Sequence, residues 1–454
     1  MPLLFSRAAS SGSAPARPGR AGASVRPPAG PVTRGQKAVI LFLVTFLLMF
    51  PKGGIKLAGV PLTWGYLGLA PLFVVLSVLL LVGKEERIRA QRLLVLGALL
   101  PFQLVASFGL LTNGVSATGM GFTISLLVTF FFIPLMMVGV LGVYLDRIDL
   151  DFLLRLVRFA LLFVAAYGIF LFFYKLLTGK FLEIPFLTVN ADDAGALEKK
   201  KYIDRGGVFK LISTYNNGNI YGISIAMFLP LYCWLEKSTA KKTVVKLSLL
   251  LTLSRTVWAG LLMAELLTQL YVKRVSVRTV AILVPSVLLV VGGVLYTVQF
   301  IGLDPMAFLF DRGLGGRRGE WANLDETSLF PAMPFDTISE MVYLSVLRRF
   351  GLFGLAAFLV GMVTPLVLFL ARAVPQSSTP YKRSIAAGLM TWLFMAVGDG
   401  AILYIPVGVI FWFLVSLLLS DNASVPGLAE TGEKTEPADA ASPVPGRPAL
   451  VVAA

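Results

Sequence analysis

Residues 251–258, LTLSRTVW, place a single cation inside a long apolar run, and Arg255 is the only charged residue between Lys246 and Glu265. A guanidinium group stays charged at every relevant pH. At the centre of a membrane helix it costs roughly 2.5–3.5 kcal/mol on insertion scales. A chain that keeps such a residue either lets it reach the water boundary by snorkelling or gives it an anionic partner. We interpret Arg255 in the second way, as a residue that faces a phosphate-bearing substrate on the outer side of a membrane.

The composition indicates a membrane protein with many spans. The chain has 454 residues, of which 57% are hydrophobic, and its mean hydropathy is +0.81. Soluble domains have a lower apolar fraction, and long apolar runs recur along this chain. Much of the net charge of +15 comes from Lys and Arg beside the apolar runs, as the positive-inside rule predicts. The expected partner of the basic residues is therefore the lipid bilayer, and no nucleic-acid partner is expected.

Cysteine and histidine usage restricts the possible chemistry. Cys233 is the only cysteine and lies in an apolar run, so no disulfide framework is expected. Histidine is absent, which removes the commonest general base and every histidine-containing metal site. Neither a phosphate-binding loop nor a dinucleotide-binding glycine motif occurs in a suitable setting, so an ATP-driven pump is not expected.

Hydropathy and charge predict an all-α, polytopic membrane helix bundle with about twelve transmembrane helices and both termini in the cytoplasm. The segment 38–50 is short for a span, and residues 57–61 are expected to act as a returning piece. Outside the C-terminal tail, the predicted inner segments hold 23 Lys and Arg and the outer segments hold 13, which supports this orientation. The predicted apolar segments are 38–50, 62–82, 93–111, 121–144, 156–177, 219–235, 247–254, 257–272, 279–300, 353–371, 384–397 and 402–419.

Two polar tails flank the predicted membrane domain, which covers residues 36–419. Residues 1–35 are rich in Ala, Pro, Gly, Ser and Arg, and residues 420–454 are rich in Pro, Ala and Glu. Both compositions are typical of disordered segments, and we expect disordered cytoplasmic tails. A secretory signal peptide is not expected, because the basic part is long and no small-residue cleavage site follows the first apolar segment. The remaining polar residues concentrate in two outer loops, 178–218 and 301–350.

The first outer loop ends in an asparagine-rich turn. Arg205 precedes this turn, and Asn216, Asn217 and Asn219 stand at the expected start of a helix. Free backbone N–H groups at a helix start bind anions, and asparagine amides both donate and accept hydrogen bonds, as sugar hydroxyls require. Helix capping alone is the alternative interpretation. Three asparagines within four residues exceed what a cap needs, so we predict a substrate-binding role.

The second outer loop carries mixed charges and leads into the membrane. Glu340 is expected on an amphipathic helix whose apolar side includes Ile338, Met341, Val342 and Leu344. Charged residues of both signs in a loop are commonly solvated and have no function. This is the alternative interpretation of every candidate residue in the second outer loop. The candidate residues of this loop are Arg312, Arg317, Arg318, Asp336, Glu340 and Tyr343.

Asp149 and Asp151 have the spacing of a metal-binding pair. The predicted topology places them on the cytoplasmic side, with Arg147, Arg155 and Arg158 nearby. We therefore interpret them as a charge-balanced helix stop, and no metal site is predicted.

The chain resembles the superfamily of O-antigen ligases and O-antigen or exopolysaccharide polymerases. The resemblance rests on three features that follow one another along the chain: the asparagine turn, the Ser254-Arg255 break and the segment from Glu340 to Leu355. These are bacterial inner-membrane glycosyltransferases, and the resemblance covers residues 205–355. It implies a metal-independent fold of the GT-C type and substrates carried on undecaprenyl pyrophosphate at the periplasmic face. By motif position, Arg205 and Arg255 match arginines held to bind pyrophosphate. The ligase branch usually has a histidine in the second outer loop, so its absence favours a polymerase.

The expected function is polymerisation of polyprenyl-pyrophosphate-linked repeat units. Arg255 and Arg205, with one of the three second-loop arginines, would stabilise the leaving pyrophosphate. Glu340, or else Asp336, would be the general base. No cofactor is expected, and a chain-length regulator and a repeat-unit flippase are the expected protein partners. An O-antigen ligase acting on lipid A–core and a lipid-linked glycan flippase or transporter are the alternatives.

Overall fold

A computed structural model describes residues 32–57, 60–82, 88–117, 119–148, 150–190, 195, 197, 204–205, 208–273, 292, 296 and 328–422. The described residues are mostly helical, with 74% helix and 4% strand. The prediction of an α-helical membrane protein is therefore confirmed at this level. The predicted span 279–300, most of the N-terminal tail and residues 423–454 lie outside the described residues.

Six of the helices in the described ranges are long and apolar enough to cross a membrane. A helix needs about twenty apolar residues to span the hydrocarbon layer, and these six have 18 to 29 residues. The chain is thus a multi-pass membrane protein. The six helices are α2 (Trp64–Val82), α3 (Ala90–Asn113), α4 (Met120–Leu145), α5 (Leu150–Thr178), α6 (Gly218–Leu235) and α9 (Val342–Leu370).

Five further helices complete the described part of the bundle. They are α1 (Arg34–Val44), α7 (Thr239–Leu250), α8 (Arg255–Leu267), α10 (Pro380–Met395) and α11 (Ile405–Leu419). A π-helical turn, Thr45–Met49, extends α1, and another, Thr268–Val272, extends α8. Each predicted apolar segment among the described residues therefore has a helix, with ends shifted by a few residues.

Two boundaries differ from the sequence-based expectation. Residues 57–61 do not form a returning membrane piece, because strands β1 (Gly54–Leu57) and β2 (Val60–Thr63) pair there as an antiparallel hairpin. The predicted lysine-rich loop 236–246 is largely helical, since α7 already begins at Thr239. Lysine is a good helix former, so a run of lysines marks the end of an apolar segment without ending the helix.

Helix α6 lies at the centre, packed against α8 and α10. Its buried face includes nearly every residue from Gly218 to Cys233. Gly222 brings α8 close, because a Cβ there would lie only 2.3 Å from a methyl group of Val257. Gly388 of α10 approaches the Met227 carbonyl of α6 in the same way. Small residues at such contacts let membrane helices pack backbone to backbone.

Helix α9 is kinked at Gly351, which has φ +73° and ψ −177°. A Cβ at this position would lie 2.6 Å from the Leu329 backbone, so the kink depends on glycine. The amides of Leu352 and Phe353 donate to the carbonyls of Ser328 and Leu329. These two bonds replace the intrahelical hydrogen bonds that the amides of Leu352 and Phe353 would otherwise make. They hold residues 328–330 against the kinked part of α9. Helix α9 begins at Val342, inside the predicted outer loop 301–350 and before the predicted apolar segment 353–371.

One end of the bundle is held by a buried ionic cluster. Arg92 is 1% exposed and forms two hydrogen bonds with Asp146, at 3.1 and 2.9 Å. Arg89 also contacts Asp146, at 3.4 Å, and pairs with Asp421 at 2.6 Å. Lys382 donates to the carbonyls of Leu417, Leu418 and Ser420 at the end of α11. We call this end, where α1 starts and α11 finishes, the basic end.

The first residues of the predicted C-terminal tail belong to this cluster. Asn422 donates to the carbonyls of Leu145 and Ile148, at 2.7 and 2.5 Å. The Asp421 amide donates to Asp146 at 2.9 Å. The ordered domain thus extends to residue 422, three residues beyond the predicted boundary.

Candidate functional site

The asparagine turn is built as an N-cap for α6. A 3₁₀ turn, Ser213–Tyr215, precedes it, and Asn216 has φ +58°, a left-handed conformation that asparagine tolerates. The Asn216 side chain donates to the Thr188 carbonyl at 2.8 Å. Asn217 is the cap residue, and its side-chain oxygen accepts from the amides of Asn219 and Ile220. The capping interpretation therefore accounts for Asn217, and Asn216 anchors the loop.

Asn219 faces the protein interior and connects two charged groups. Its Nδ2 donates to Asp399 Oδ2 at 2.6 Å, and its Oδ1 accepts from Lys210 Nζ at 3.4 Å. Asp399 is 1% exposed and Lys210 is 7% exposed. Buried charges are costly unless they are paired and hydrogen-bonded. An amide suits the position between them because it offers both a donor and an acceptor.

Asp399 lies in a turn that joins the last two helices. The Gly400 amide donates to the Glu340 carbonyl at 2.9 Å, and Trp392 Nε1 donates to the Gly400 carbonyl at 3.0 Å. A Cβ at Gly400 would meet Val342 at 2.5 Å, so the close approach requires glycine. The turn is thus fixed to the chain that leads into α9, and Asp399 and Glu340 become neighbours in the fold.

Asp399 is not among the candidate residues selected from the sequence. The signal that points to it is the one used for Arg255: it is the only acidic residue between Glu340 and Asp421. An isolated charge between two apolar helices is retained only where it has a partner. Applied to carboxylates as well as to cations, that criterion selects Asp399.

Arg255 is the first residue of α8, after a short non-helical break. Leu253 has φ +50°, and the Leu211 amide donates to the Leu251 carbonyl at 3.0 Å, which holds the break in place. The predicted Ser254-Arg255 break is therefore confirmed, with Ser254 as the N-cap residue. A helix N-terminus disfavours a cation. Stabilisation of α8 by the helix dipole therefore does not explain why Arg255 is there.

Helix packing brings Arg255 to the same end of the bundle as Asp399. A Cβ at Gly398 would lie 3.3 Å from Thr256 Oγ1, so Gly398 and Thr256 are in contact. Their sequence neighbours, Asp399 and Arg255, therefore lie close to each other. Gly260 of α8 meets Met395 of α10 one turn further on. The N-termini of α6 and α8 and the turn at Asp399 are therefore adjacent. We call this group of Lys210, Asn219, Arg255, Glu340 and Asp399 the polar cluster.

Lys52 is a further cation near the polar cluster. It lies in the turn after α1, with its Nζ 5.9 Å from the centre of the Tyr404 ring. Tyr404 follows the Asp399 turn and is the N-cap residue of α11. Tyr215 donates to the Leu48 carbonyl at 3.0 Å, which fixes the end of α1 beside the asparagine turn. Sequence reasoning counted Lys52 only as a loop charge.

The structure gives three candidate residues of the second outer loop different surroundings from those predicted. Glu340 is not on a helix, because α9 begins at Val342, but its side chain is exposed. Tyr343 donates its hydroxyl to the Leu393 carbonyl at 2.7 Å, so it joins α9 to α10. Asp336 accepts from Ser116 at 3.2 Å and pairs with Arg349 at 3.4 Å.

The remaining candidates are described in part or not at all. Arg205 belongs to a two-residue strand, Asp204–Arg205, that pairs with Val208–Phe209. Asp151 pairs with Arg155 at 2.6 Å, in agreement with the charge-balanced stop. Within the ranges given above, no group of three or more His, Cys, Asp and Glu side chains could hold a metal ion. Arg312, Arg317, Arg318 and Asp149 lie outside the described residues.

Comparison of the chain with protein-family models and with curated proteins gives no match. The function is therefore argued from the polar cluster and from the sequence resemblance.

Proposed function

We propose that the protein is a membrane glycosyltransferase that polymerises oligosaccharide repeat units linked to polyprenyl pyrophosphate. The observation that carries the proposal is the polar cluster. A buried carboxylate, an exposed carboxylate and two cations meet at one end of a membrane helix bundle. Transfer of a sugar from a pyrophosphate needs cations for the leaving group and a base for the acceptor.

In the proposed reaction, the growing glycan on polyprenyl pyrophosphate is the donor and a new lipid-linked repeat unit is the acceptor. The acceptor hydroxyl oxygen forms a bond to the anomeric carbon. The bond between that carbon and the pyrophosphate oxygen breaks, and the electron pair leaves with the pyrophosphate. The hydroxyl proton passes to Glu340. Negative charge grows on the leaving group, where Arg255 stabilises it with a bidentate guanidinium fork.

The other residues of the cluster have supporting roles in this proposal. Asn219 connects Lys210 to Asp399 and so holds the start of α6 beside the Asp399 turn, to which the Glu340 carbonyl is hydrogen-bonded. Lys52 adds a cation at the rim. We assign the base role to Glu340 because its backbone carbonyl accepts from Gly400 in the Asp399 turn, which places it in the polar cluster. Asp336 lies with Ser116 and Arg349 instead. Arg205 and the arginines at 312, 317 and 318 remain candidates for the second phosphate.

The proposal includes a bundle of about twelve spans with a GT-C-like arrangement, in the bacterial inner membrane and with both termini inside. The basic end would then face the cytoplasm, as the positive-inside rule requires, and the polar cluster would face the periplasm. The six apolar helices in the described ranges support only the coarser part of this picture.

A lipid-linked glycan transporter is the second candidate. The observation that favours it is the burial of Asp399 and Lys210 between helices, because buried ionisable groups in membrane domains commonly mark transport paths. An O-antigen ligase would use the same donor and differ in its acceptor.

A reconstitution experiment separates these functions. The purified protein in liposomes receives a polyprenyl-pyrophosphate-linked oligosaccharide, and the products are separated by gel electrophoresis. A polymerase yields longer glycans and releases polyprenyl pyrophosphate. Release that requires lipid A–core would identify a ligase. Movement of the unchanged substrate across the bilayer, without release of pyrophosphate, would contradict the proposal and identify a transporter.

Glu340→Gln tests the assignment of the base, because it keeps the shape of the side chain and removes the basic oxygen. Loss of general base catalysis typically lowers a rate by 10²–10⁴-fold. Asp336→Gln serves as the comparison variant, and we expect it to retain activity. Unchanged polymer yield from Glu340→Gln at a normal protein level would exclude Glu340 as the base.

A further inference from the structure

An apolar cavity of about 410 Å³ lies at the side of the bundle. It runs along α1 and the π-helical turn that follows, from Gly35 to Leu48, and its other walls come from α2, α4, α5, α6 and α11. Val39, Leu76 and Phe413 are typical of its lining, which is almost entirely aliphatic or aromatic. The volume lies in the range of pockets that hold small-molecule ligands, roughly 300–1,000 Å³.

The cavity reaches the basic end of the bundle. Gly35 and Gln36 line it there, and they stand between Arg34 and Lys37, both of which are exposed. Lys37 Nζ lies 5.7 Å from the centre of the Phe152 ring, on the first turn of α5. The cavity therefore combines an apolar interior with two cations at one end.

Near this end, the acidic side chains that the structure describes form ion pairs with other arginines. Asp146 binds Arg92 and Arg89, and Asp151 binds Arg155. Positive charge at the cavity end is therefore not neutralised by these carboxylates. Basic pockets between membrane helices attract the head groups of anionic lipids.

We propose that this cavity binds an anionic phospholipid, with one acyl chain between α1, α2 and α4 and its phosphate on Arg34 and Lys37. The charge at the cavity end selects an anionic head group over a zwitterionic one. A polyprenyl pyrophosphate bound at the polar cluster would have its phosphates at the opposite end of the helices. The lipid proposed here is thus a structural ligand, and it does not depend on the catalytic proposal.

Native mass spectrometry of the full-length protein in detergent tests this proposal. Phosphatidylglycerol and phosphatidylcholine with the same acyl chains are added in separate titrations. The wild-type protein should bind phosphatidylglycerol more tightly. A basic residue near a lipid surface contributes about 1 kcal/mol. The double variant Arg34→Gln/Lys37→Gln should therefore lower that preference about 30-fold, using about 1.4 kcal/mol per tenfold. Both side chains are exposed, so folding should be unaffected.

A pair of tryptophan variants tests whether the acyl chain occupies the cavity. Val39→Trp fills the cavity from α1 and should reduce binding of both phospholipids. Leu41→Trp, on the same helix and 51% exposed but not part of the lining, should bind as the wild type does. Equal affinity of the wild type for the two phospholipids would overturn the proposal. So would wild-type binding by Val39→Trp, or displacement of phosphatidylglycerol by polyprenyl phosphate at equal concentration.

Discussion

The buried connection between Lys210 and Asp399 gives the sharpest test of the fold around the polar cluster. Asp399→Ala removes a carboxylate that is 1% exposed and accepts from Asn219 at 2.6 Å. A hydrogen bond to a charged group contributes about 1.5–3 kcal/mol. The Lys210 ammonium, 7% exposed, lies on the other side of the Asn219 amide, so the two charges interact through that amide. We therefore expect Asp399→Ala to cost about 1.5–3 kcal/mol.

A double-mutant cycle measures the coupling directly. Lys210→Met should also destabilise the protein, because it removes the buried ammonium that donates to Asn219. The double variant removes both charges, and its free energy of unfolding should exceed the additive expectation by about 1–3 kcal/mol. The assay is equilibrium unfolding in mixed detergent micelles, followed by tryptophan fluorescence.

A surface ion pair provides the matched control for this cycle. The side chains of Asp151 and Arg155 are 33% and 63% exposed, and they form an i,i+4 pair. Asp151→Ala should cost about 0.5 kcal/mol or less, as exposed helix pairs do. If Lys210→Met and Asp399→Ala add without coupling, the two charges do not interact, and the account of the polar cluster as one electrostatic unit is wrong.

Three further variants test separate parts of the fold. Gly351→Ala should destabilise the protein by about 1 kcal/mol or more, because φ is +73° and the added Cβ lies against the Leu329 backbone. Gly97→Ala, inside α3 with open space around the added Cβ, should stabilise the protein by about 0.4–1 kcal/mol; thermal unfolding of both variants checks this. Tyr343→Phe loses one hydrogen bond and should cost about 0.5–1.5 kcal/mol without changing polymer length, as a paired unfolding and product-length assay would show. Asp146→Ala leaves Arg92 buried without its partner and should cost about 3–5 kcal/mol in the same unfolding assay.

Hydropathy predicted the helical segments well because membrane spans depend on long apolar runs. The break at Ser254-Arg255 was also predictable, since an isolated cation interrupts an apolar run. The kink at Gly351 was not predicted, because it depends on contacts with the distant backbone of Ser328 and Leu329. The hairpin at 54–63 was not, because strand pairing depends on a partner segment and not on local hydrophobicity.

The candidate site was only partly predictable. The side chain of Asn219 is not used for capping and forms hydrogen bonds with Lys210 and Asp399, which are distant in sequence from each other. Contacts between α6 and the Asp399 turn arise from helix packing, which a single sequence does not encode in any local pattern. Asn217 shows the converse, because its side chain is used for capping. The residue type indicated that these asparagines form specific hydrogen bonds, whereas the partner of each asparagine depended on the tertiary fold.

We propose that Arg255 binds the pyrophosphate of the substrate. Arg255→Lys keeps the charge and loses the planar fork that contacts two phosphate oxygens. The direct measurement is the rate of polyprenyl pyrophosphate release by the purified variant in liposomes, relative to the wild type. Lys273→Arg, at the other end of the same helix, is the control. Removal of one donor to a developing oxyanion lowers the rate by roughly 10²–10³-fold. We expect Arg255→Lys to lower the rate of polyprenyl pyrophosphate release by that order. Wild-type release by Arg255→Lys would contradict this proposal.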